Sequence, residues 1–374
     1  LGFRILAVNW QDLKNPLAGG AEVHLQEILS RLGRWGHDVT LLCSGFAAGP
    51  AEETYDHQQI IRCGRRMTFN WVAPFRARGL LAEKHFDIIF EDINKIPFYL
   101  PLFTDRPILT IVPHLFATTV FHEINPLLAS YIYLMEKPVS VVYKKFPWMV
   151  ISESTKADLV DRGIPAEQIS VIHCGIDHEL YTPDPGCERF VQPTILYVGR
   201  LKKYKSVDHI IRAAARLPDS IGDWRMVIIG EGDDRPRLEK IVGELALGQR
   251  VTFAGFVDQH TKVDYLRRAH VAVCASLKEG WGLTNIEANA CGTPVIAADV
   301  PGLRDSARDG QTGLLFPYGN IEALSERLTR LLAEPTLWEV LSRGGLAWAR
   351  TFHWDETARA TESLIEQVIA DHPN

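Results

Sequence analysis

Short apolar runs alternate with amphipathic stretches along the chain, and this alternation sets the expected elements. Phe3–Trp10 (FRILAVNW) has the length and composition of a strand buried on both faces. A polar loop follows. From Glu22 the apolar residues Val23, Leu25, Ile28, Leu29 and Leu32 keep a helical period until Gly36, after which Asp38–Cys43 resumes as strand. Strand, helix, strand in this order folds as a right-handed crossover in a parallel sheet. Further apolar strands are expected at Asp87–Phe90, Ile108–Val112, Trp148–Ser152 and Ser170–His173, and Ser152 caps a helix reaching about Arg162, with Gly163 as its stop.

Residues 181–193, YTPDPGCERFVQP, carry three prolines and a glycine without periodicity and are the expected linker. The alternation then restarts, with strands at Thr194–Val198, Arg225–Ile229, Arg250–Ala254, Val271–Cys274 and Pro294–Ala298, and helices at 206–217, 234–246, 262–268 and 284–290. After Ile321 the chain is helical to its end, interrupted at Thr351–Trp354, with Asp355 capping a last helix to about Ala370. The pattern predicts two α/β domains in tandem, 1–185 and 186–354, and the length of 374 residues agrees with two cores rather than one.

Composition narrows the function classes. Hydrophobic residues at 46% and charged residues at 23% are ordinary for a globular protein, and a net charge of −6 gives no global electrostatic case for nucleic acid. Cys43, Cys63, Cys174, Cys187, Cys274 and Cys291 are widely spaced, with no C-x-x-C pair and no companion histidine spacing, so they are expected to be reduced and no metal is expected. Residues 1–10 lack a basic n-region and a cleavage site, and no window approaches about 18 uninterrupted apolar residues. A cytoplasmic enzyme is the expectation.

In open α/β sheets, ligands bind beyond the carboxyl ends of the strands. Four loops of the second half have that address: Gly199–Ser206, Gly230–Asp233, Gly255–Val257, and the stretch around Glu279-Gly280-Trp281-Gly282-Leu283. In the last, a helix is expected to start near Thr284 or Asn285, with Thr284 as N-cap and Glu287 at capping-box spacing. Glu279 and Glu287 then crowd one helix mouth and repel unless cations or sugar hydroxyls lie between them; a solvated face is the alternative. Arg200 and Lys205 flank one loop, as a bidentate and a mobile cation for an anionic ligand or as parts of a solvated basic loop. Gly230-x-Gly232 permits close approach of backbone to a phosphate, although Arg235 stands where a dinucleotide fingerprint needs its third glycine. Gly19-Gly20, ahead of the first helix, is an anion nest or a mere turn. His114 follows Ile108–Val112 at a carboxyl end.

Gly19-Gly20-Ala21-Glu22, Gly199-Arg200-Leu201 with Lys205, Gly230-Glu231-Gly232, and Glu279 to Glu287 followed by Gly292-Thr293-Pro294 together resemble the family-4 retaining glycosyltransferases of the GT-B fold. The resemblance runs through nearly the whole chain. It implies two Rossmann-like domains facing each other across a cleft, an acceptor-binding domain over 1–185 with helix 355–374 packing back on it, and a donor-binding domain over 186–354. It also implies a nucleoside diphosphate sugar as donor, UDP- or GDP-linked being favoured, with no cofactor or metal required. Arg200 and Lys205 would hold the diphosphate, and Glu287 the ribose hydroxyls. Glu279 would lie beside the donor sugar, and the backbone of Gly280, Trp281, Gly282, Leu283 and Thr284 near sugar and phosphate. Gly19 and Gly20 would contact the diphosphate from the other domain, His114 the sugar, and Phe256 and Val257 the base. Trp281 stands where the family more often has Phe, Thr284 where Pro is frequent, and Ser206 where Gly is common, which puts the identity of the sugar in doubt.

The implied acceptor is a glycan, a lipid-linked chain or a small molecule. Residues 62–78 mix Arg62, Arg65, Arg66, Arg76 and Arg78 with Phe69, Trp71 and Phe75, and Tyr143–Trp148 repeats the mixture on a smaller scale. Such interleaving suits peripheral contact with an anionic membrane, or a solvated loop over a few core aromatics. A sugar-nucleotide epimerase of the same architecture, or a non-catalytic nucleotide-sugar-binding protein, is the competing class. A dehydrogenase would need a complete G-x-G-x-x-G after a first strand, and neither half has one.

Overall fold

The computed structural model describes residues 2–94, 96–113, 115, 120–121 and 125–372. The chain forms two compact units, Leu1–Gly175 with Trp354–Asn374, and Ile176–His353. The first contains, in chain order, β1 (Arg4–Val8), α1 (Gly20–Arg34), β2 (Asp38–Gly45), β3 (Glu52–Tyr55), β4 (Gln58–Arg65), α2 (Phe69–Glu83), β5 (Ile88–Asp92), β6 (Ile108–Val112), α3 (Pro126–Glu136), α4 (Val139–Val142), β7 (Trp148–Val150), α5 (Glu153–Asp161) and β8 (Ile169–Val171). Its sheet runs β3-β4-β2-β1-β5-β6-β7-β8, parallel throughout except for β3 against β4. Both faces are covered. Ile5 and Ala7 of β1 join Leu25, Ile28, Leu29 and Leu32 of α1 in one core, whereas Leu6 and Val8 join Phe69, Ala73, Ala77 and Leu80 of α2 in another. Two-sided burial is why these strands read as unbroken apolar runs.

The second unit contains β9 (Thr194–Val198), α6 (Val207–Ala214), β10 (Arg225–Ile229), α7 (Arg235–Glu244), β11 (Val251–Gly255), α8 (Gln259–Arg268), β12 (Val271–Cys274), α9 (Leu283–Ala290), β13 (Val295–Ala298), α10 (Leu303–Ser306), β14 (Gly313–Phe316), α11 (Ile321–Ala333) and α12 (Pro335–Ala349). Its six strands lie in the order β11-β10-β9-β12-β13-β14, all parallel. The last helix, α13 (Trp354–Asp371), belongs to the first unit, where Leu364, Ile365 and Val368 enter the core beside α1.

The chain crosses between units at Gly175–Ile176, ahead of the proline-rich segment expected to be the linker. Residues 181–193 belong to the second unit because side chains tie them there: Arg189 donates to the Ala269 carbonyl at 2.6 Å and stacks 3.8 Å from the Trp338 ring, and the Phe190 amide donates to the Arg268 carbonyl at 3.1 Å. Proline content marked an irregular path, not a free one.

Several elements carry no clear signal. β3 is an edge strand and β4 lies next to it, and in both the run of apolar residues shortens. α2 is hidden by Pro74 inside it. β4 and α2 change the reading of 62–78: Arg62 is 6% exposed and ion-paired with Asp12 at 2.8 Å and Glu53 at 2.5 Å, and Phe69 is buried, so neither is available to a membrane surface. The capping of α5 follows the sequence, with the Ser152 hydroxyl accepting from the Thr155 amide at 3.1 Å.

Glu91, at the end of β5, is fully buried and ties the following segment to the sheet, accepting from the amides of Phe98, Tyr99 and Leu100 and from the Tyr143 hydroxyl at 2.5 Å. Burial pushes its pKa up to about 7 despite these donors. Between 4.5 and about 7 the folded chain therefore keeps a proton that the unfolded chain has lost, so this carboxyl's contribution to stability falls as pH rises through that window. His24, fully buried with no hydrogen-bond partner among the described residues, has its pKa pushed down to about 4 by burial and acts in the opposite sense from there to 6.5. Comparing wild type with Glu91→Gln at each pH cancels the histidine. The variant is expected to lose less stability than wild type between about pH 5 and about pH 8, by on the order of 1–3 kcal/mol in urea denaturation. Equal losses would show that Glu91 is ionised throughout.

Candidate functional site

The second unit's chain runs outward from β9 through β10 and β11, then returns to place β12 on the other side of β9. The carboxyl ends of β9 and β12 therefore flank the topological switch point, where a crevice is forced by connections leaving in opposite directions. The loops after both strands meet there, the Leu277 amide donating to the Tyr204 carbonyl at 2.8 Å. A third loop supports them from β13: the Glu279 amide donates to the Pro301 carbonyl, and a side chain on Gly302 would lie 2.1 Å from the Glu279 carbonyl oxygen.

At this point the Lys205 ammonium is paired with Glu279 Oε1, the two side chains being 16% and 18% exposed. Burial works against the lysine's charge, but the adjacent Glu279 carboxylate outweighs it and holds the pKa above its ordinary value. Ser206, next in sequence, adopts a left-handed conformation at φ 52°, which explains the resemblance to a position where Gly is common. Its hydroxyl lies 3.0 Å from that of Tyr318.

Glu287, in the second turn of α9, has its own cation. Lys262 of α8 lies 2.8 Å from each carboxylate oxygen and 2.9 Å from the Tyr181 hydroxyl. The crowding of two carboxylates is thus resolved by two lysines, one each. Lys262 and Tyr181 were not among the sequence candidates, and spacing offers no signal for them: the contacts are 25 and 81 residues apart along the chain.

α9 begins at Leu283, one residue before the expected start. Thr284 is not its N-cap and there is no capping box. Gly282 enters the helix at φ 82°, a conformation that leaves no side-chain cap on the first amides, and a Cβ there would stand 2.8 Å from Ser306 Oγ. Gly280 is buried, Leu283 and Thr284 half-buried. Trp281 is 2% exposed and packs edge-on against Phe352 at 5.2 Å, a core contact. Arg200 is exposed, and its carbonyl accepts from the Tyr197 hydroxyl at 2.9 Å. Phe256 is 86% exposed beyond β11, with Val257 partly covered.

Gly230 and Gly232 answer a backbone neighbour. A Cβ on Gly230 would stand 2.0 Å from the Gly199 carbonyl oxygen, and one on Gly232 2.0 Å from that of Leu201. Reciprocal bonds from the Leu201 amide to the Glu231 carbonyl and from the Asp234 amide to the Leu201 carbonyl, at 2.9 and 3.1 Å, stitch the two loops together.

In the first unit the switch point lies between β1 and β5. Gly19 is the N-cap of α1, but its amide already donates to Glu22 at 2.7 Å, so it adds nothing to an anion nest; Gly20 is exposed. Asn94 donates to Asn9 Oδ1 at 2.8 Å from the end of β5, a polar strand-end pair that the sequence did not mark. His114 lies outside the described residues. Among those residues no group of three His, Cys, Asp or Glu is gathered as a metal site requires.

Two open parallel sheets with polar clusters at their switch points are the GT-B fold. The likeness to solved structures covers the chain: sucrose-phosphate synthase from Thermosynechococcus elongatus superposes with a TM-score of 0.82 at 24% identity over 98% of this chain and 99% of that one. Anabaena Alr3699/HepE, solved in complex with UDP and glucose, superposes with a TM-score of 0.76 at 17% identity over 98% and 100%. Residues 18–180 match the family described as Glycosyltransferase Family 4, and residues 190–347 that described as Glycosyl transferases group 1. The chain belongs to the family-4 glycosyltransferases. The D-inositol 3-phosphate glycosyltransferase of Streptomyces bingchenggensis is 32% identical over 240 residues, 59% of this chain and 53% of that protein. This chain thus spans about half the length of the curated relatives it matches.

The packing of Gly232 is testable. Gly232→Ala is expected to force the loops after β9 and β10 apart and lower stability by about 1–3 kcal/mol, the usual cost of overpacking. An unchanged denaturation midpoint would show that the loops separate freely.

Proposed function

We propose that this protein transfers a glycosyl group from a nucleoside diphosphate sugar to a glycan, lipid-linked or small-molecule acceptor, with retention of anomeric configuration. The observation that carries the reading is the Lys205–Glu279 pair at the switch point of the second unit, beside the side-chain-uncapped start of α9. In this reading the second unit binds the donor and the first unit the acceptor. Lys205 exchanges its carboxylate for the diphosphate, with exposed Arg200 as the second cation and the first amides of α9 as preorganised donors. Glu287 accepts from the ribose, and Glu279 lies at the sugar. Phe256 and Val257 flank the base.

Negative charge grows on the leaving diphosphate in the transition state, so fixed cations and amides act where charge develops. We assign a front-face attack in which the leaving phosphate takes the acceptor's proton. Relatives named D-inositol 3-phosphate glycosyltransferase and the UDP complex of a fold neighbour favour a UDP- or GDP-sugar and a hydroxyl acceptor. In a thermal-shift series with UDP, GDP and ADP, one is expected to stabilise the fold by about 2.7 kcal/mol at 100 times its Kd. Lys205→Ala is then expected to lower turnover about 100-fold or more. Near-normal kcat would remove Lys205 from the reaction, and no shift with any nucleotide would remove the donor site.

The acceptor side has one surface of its own. With Arg62 and Phe69 inside, α2 still presents Trp71 and Phe75 on one face, 60% and 66% exposed, with Met67 at 70% and Arg65, Arg66 and Arg78 nearby in sequence. Phe75 meets the Phe103 ring at 5.6 Å, beside Leu102, which is 67% exposed. No described helix is long and apolar enough to cross a membrane. This face suits peripheral contact with anionic lipid and delivery of a lipid-linked acceptor. Flotation with anionic vesicles at low salt is expected to carry the protein, and Trp71→Ser with Phe75→Ser to release it; no flotation of wild type would sink the idea.

A further inference from the structure

We infer that Lys262 and Tyr181 are positioning residues that hold Glu287 for recognition of a ribose vicinal diol, an inference that rests on the donor-site reading above. The argument begins with the ammonium. Lys262 has three N–H donors, and three acceptors surround it: the two oxygens of Glu287 at 2.8 Å and the Tyr181 hydroxyl at 2.9 Å. It donates to Glu287 Oε1 and to the Tyr181 hydroxyl and lies as close to Oε2, and its side chain is only 18% exposed. This separates it from Lys205, whose paired contact is with one oxygen of Glu279.

The third acceptor is itself fixed. Tyr181 is 6% exposed, its amide donates to the Asp177 carbonyl at 2.8 Å, and its hydroxyl donates to Gln259 Oε1 at 3.2 Å, one turn from Lys262 on α8. Burial and the neighbouring Glu287 carboxylate raise the Tyr181 pKa, which keeps the phenol protonated as that donor. Tyrosine, lysine and carboxylate therefore form a chain anchored at both ends, by α8 and by α9.

The consequence lies in what is left of Glu287. A carboxylate offers about four acceptor positions, two on each oxygen. Lys262 and Tyr181 take only part of these and fix the plane of the carboxylate, leaving the rest on its two oxygens as acceptors. Two adjacent hydroxyl donors can share a carboxylate held in this way, and an anion cannot. The 2′- and 3′-hydroxyls of a ribonucleotide are such donors, common to UDP, GDP and ADP. Lys262 thus positions the acceptor of the nucleotide's ribose without touching the ribose.

The test uses the whole chain, the one of UDP, GDP and ADP that binds best, and its 2′,3′-dideoxy analogue, with both affinities measured by titration calorimetry. Wild type is expected to prefer the ribonucleotide by about 30-fold or more, two lost hydroxyl contacts to a charged acceptor. Glu287→Gln is expected to abolish most of that preference. Lys262→Met is expected to cut it about tenfold and Tyr181→Phe by a smaller factor, with donor KM raised and kcat little changed, while Lys262→Arg restores part of it. Melting curves and binding of inorganic pyrophosphate, which has no ribose, report whether each variant is folded with an intact diphosphate site. If Glu287→Gln loses the preference but Lys262→Met and Tyr181→Phe keep it in full, the inference is overturned and the role of Glu287 stands. If Glu287→Gln keeps the preference, the ribose assignment falls and this inference with it.

Discussion

Two like charges cannot share a helix mouth in a half-dry crevice, and the second unit is built around that constraint. Glu279 and Glu287 each receive a lysine, and the two lysines come from different elements: Lys205 from the loop after β9, Lys262 from α8. The first pairing cannot form until β12 has returned to lie beside β9, because only then do the two loops meet. The switch in strand order, which makes the crevice, also brings cation and carboxylate together. Partial exposure of the Lys205–Glu279 pair keeps the desolvation cost low enough for a ligand to exchange with it.

The two pairs differ in kind. Lys205 holds one oxygen and stands beside an uncapped helix start and an exposed arginine, an arrangement open to an incoming anion. Lys262 is saturated by three acceptors and backed by a buried tyrosine. One is placed to change partners and the other to keep them. Around both, the loops are held by backbone contacts so close that Gly232 and Gly302 have no room for a side chain, which limits how far the site can relax.

Much of this was legible in the chain. The apolar runs located β1, β2, β5, β6, β7 and the strands β9 to β13 because a parallel sheet buried on both faces needs apolar residues at every position. Glu279 and Lys205 stood out as candidates by their address in loops after strands, and Glu287 by its spacing at a helix start. The edge strand β3, its neighbour β4 and the proline-containing α2 were not, since exposed positions and a broken period remove the signal. Arg62 shows the same limit in reverse. It stood in a basic, aromatic stretch suggestive of a surface, and the fold turned it inward onto Asp12 and Glu53.

By itself the sequence determined the alternation of elements, the two-unit plan and the residue types at the strand ends, because period and composition act within about ten residues of chain. Only the tertiary structure decided which cation answers which carboxylate, that Trp281 is packed against Phe352, and that Lys262 and Tyr181 gather beside Glu287. Those contacts join residues that local pattern cannot relate, and the relation exists only once strand order has been set.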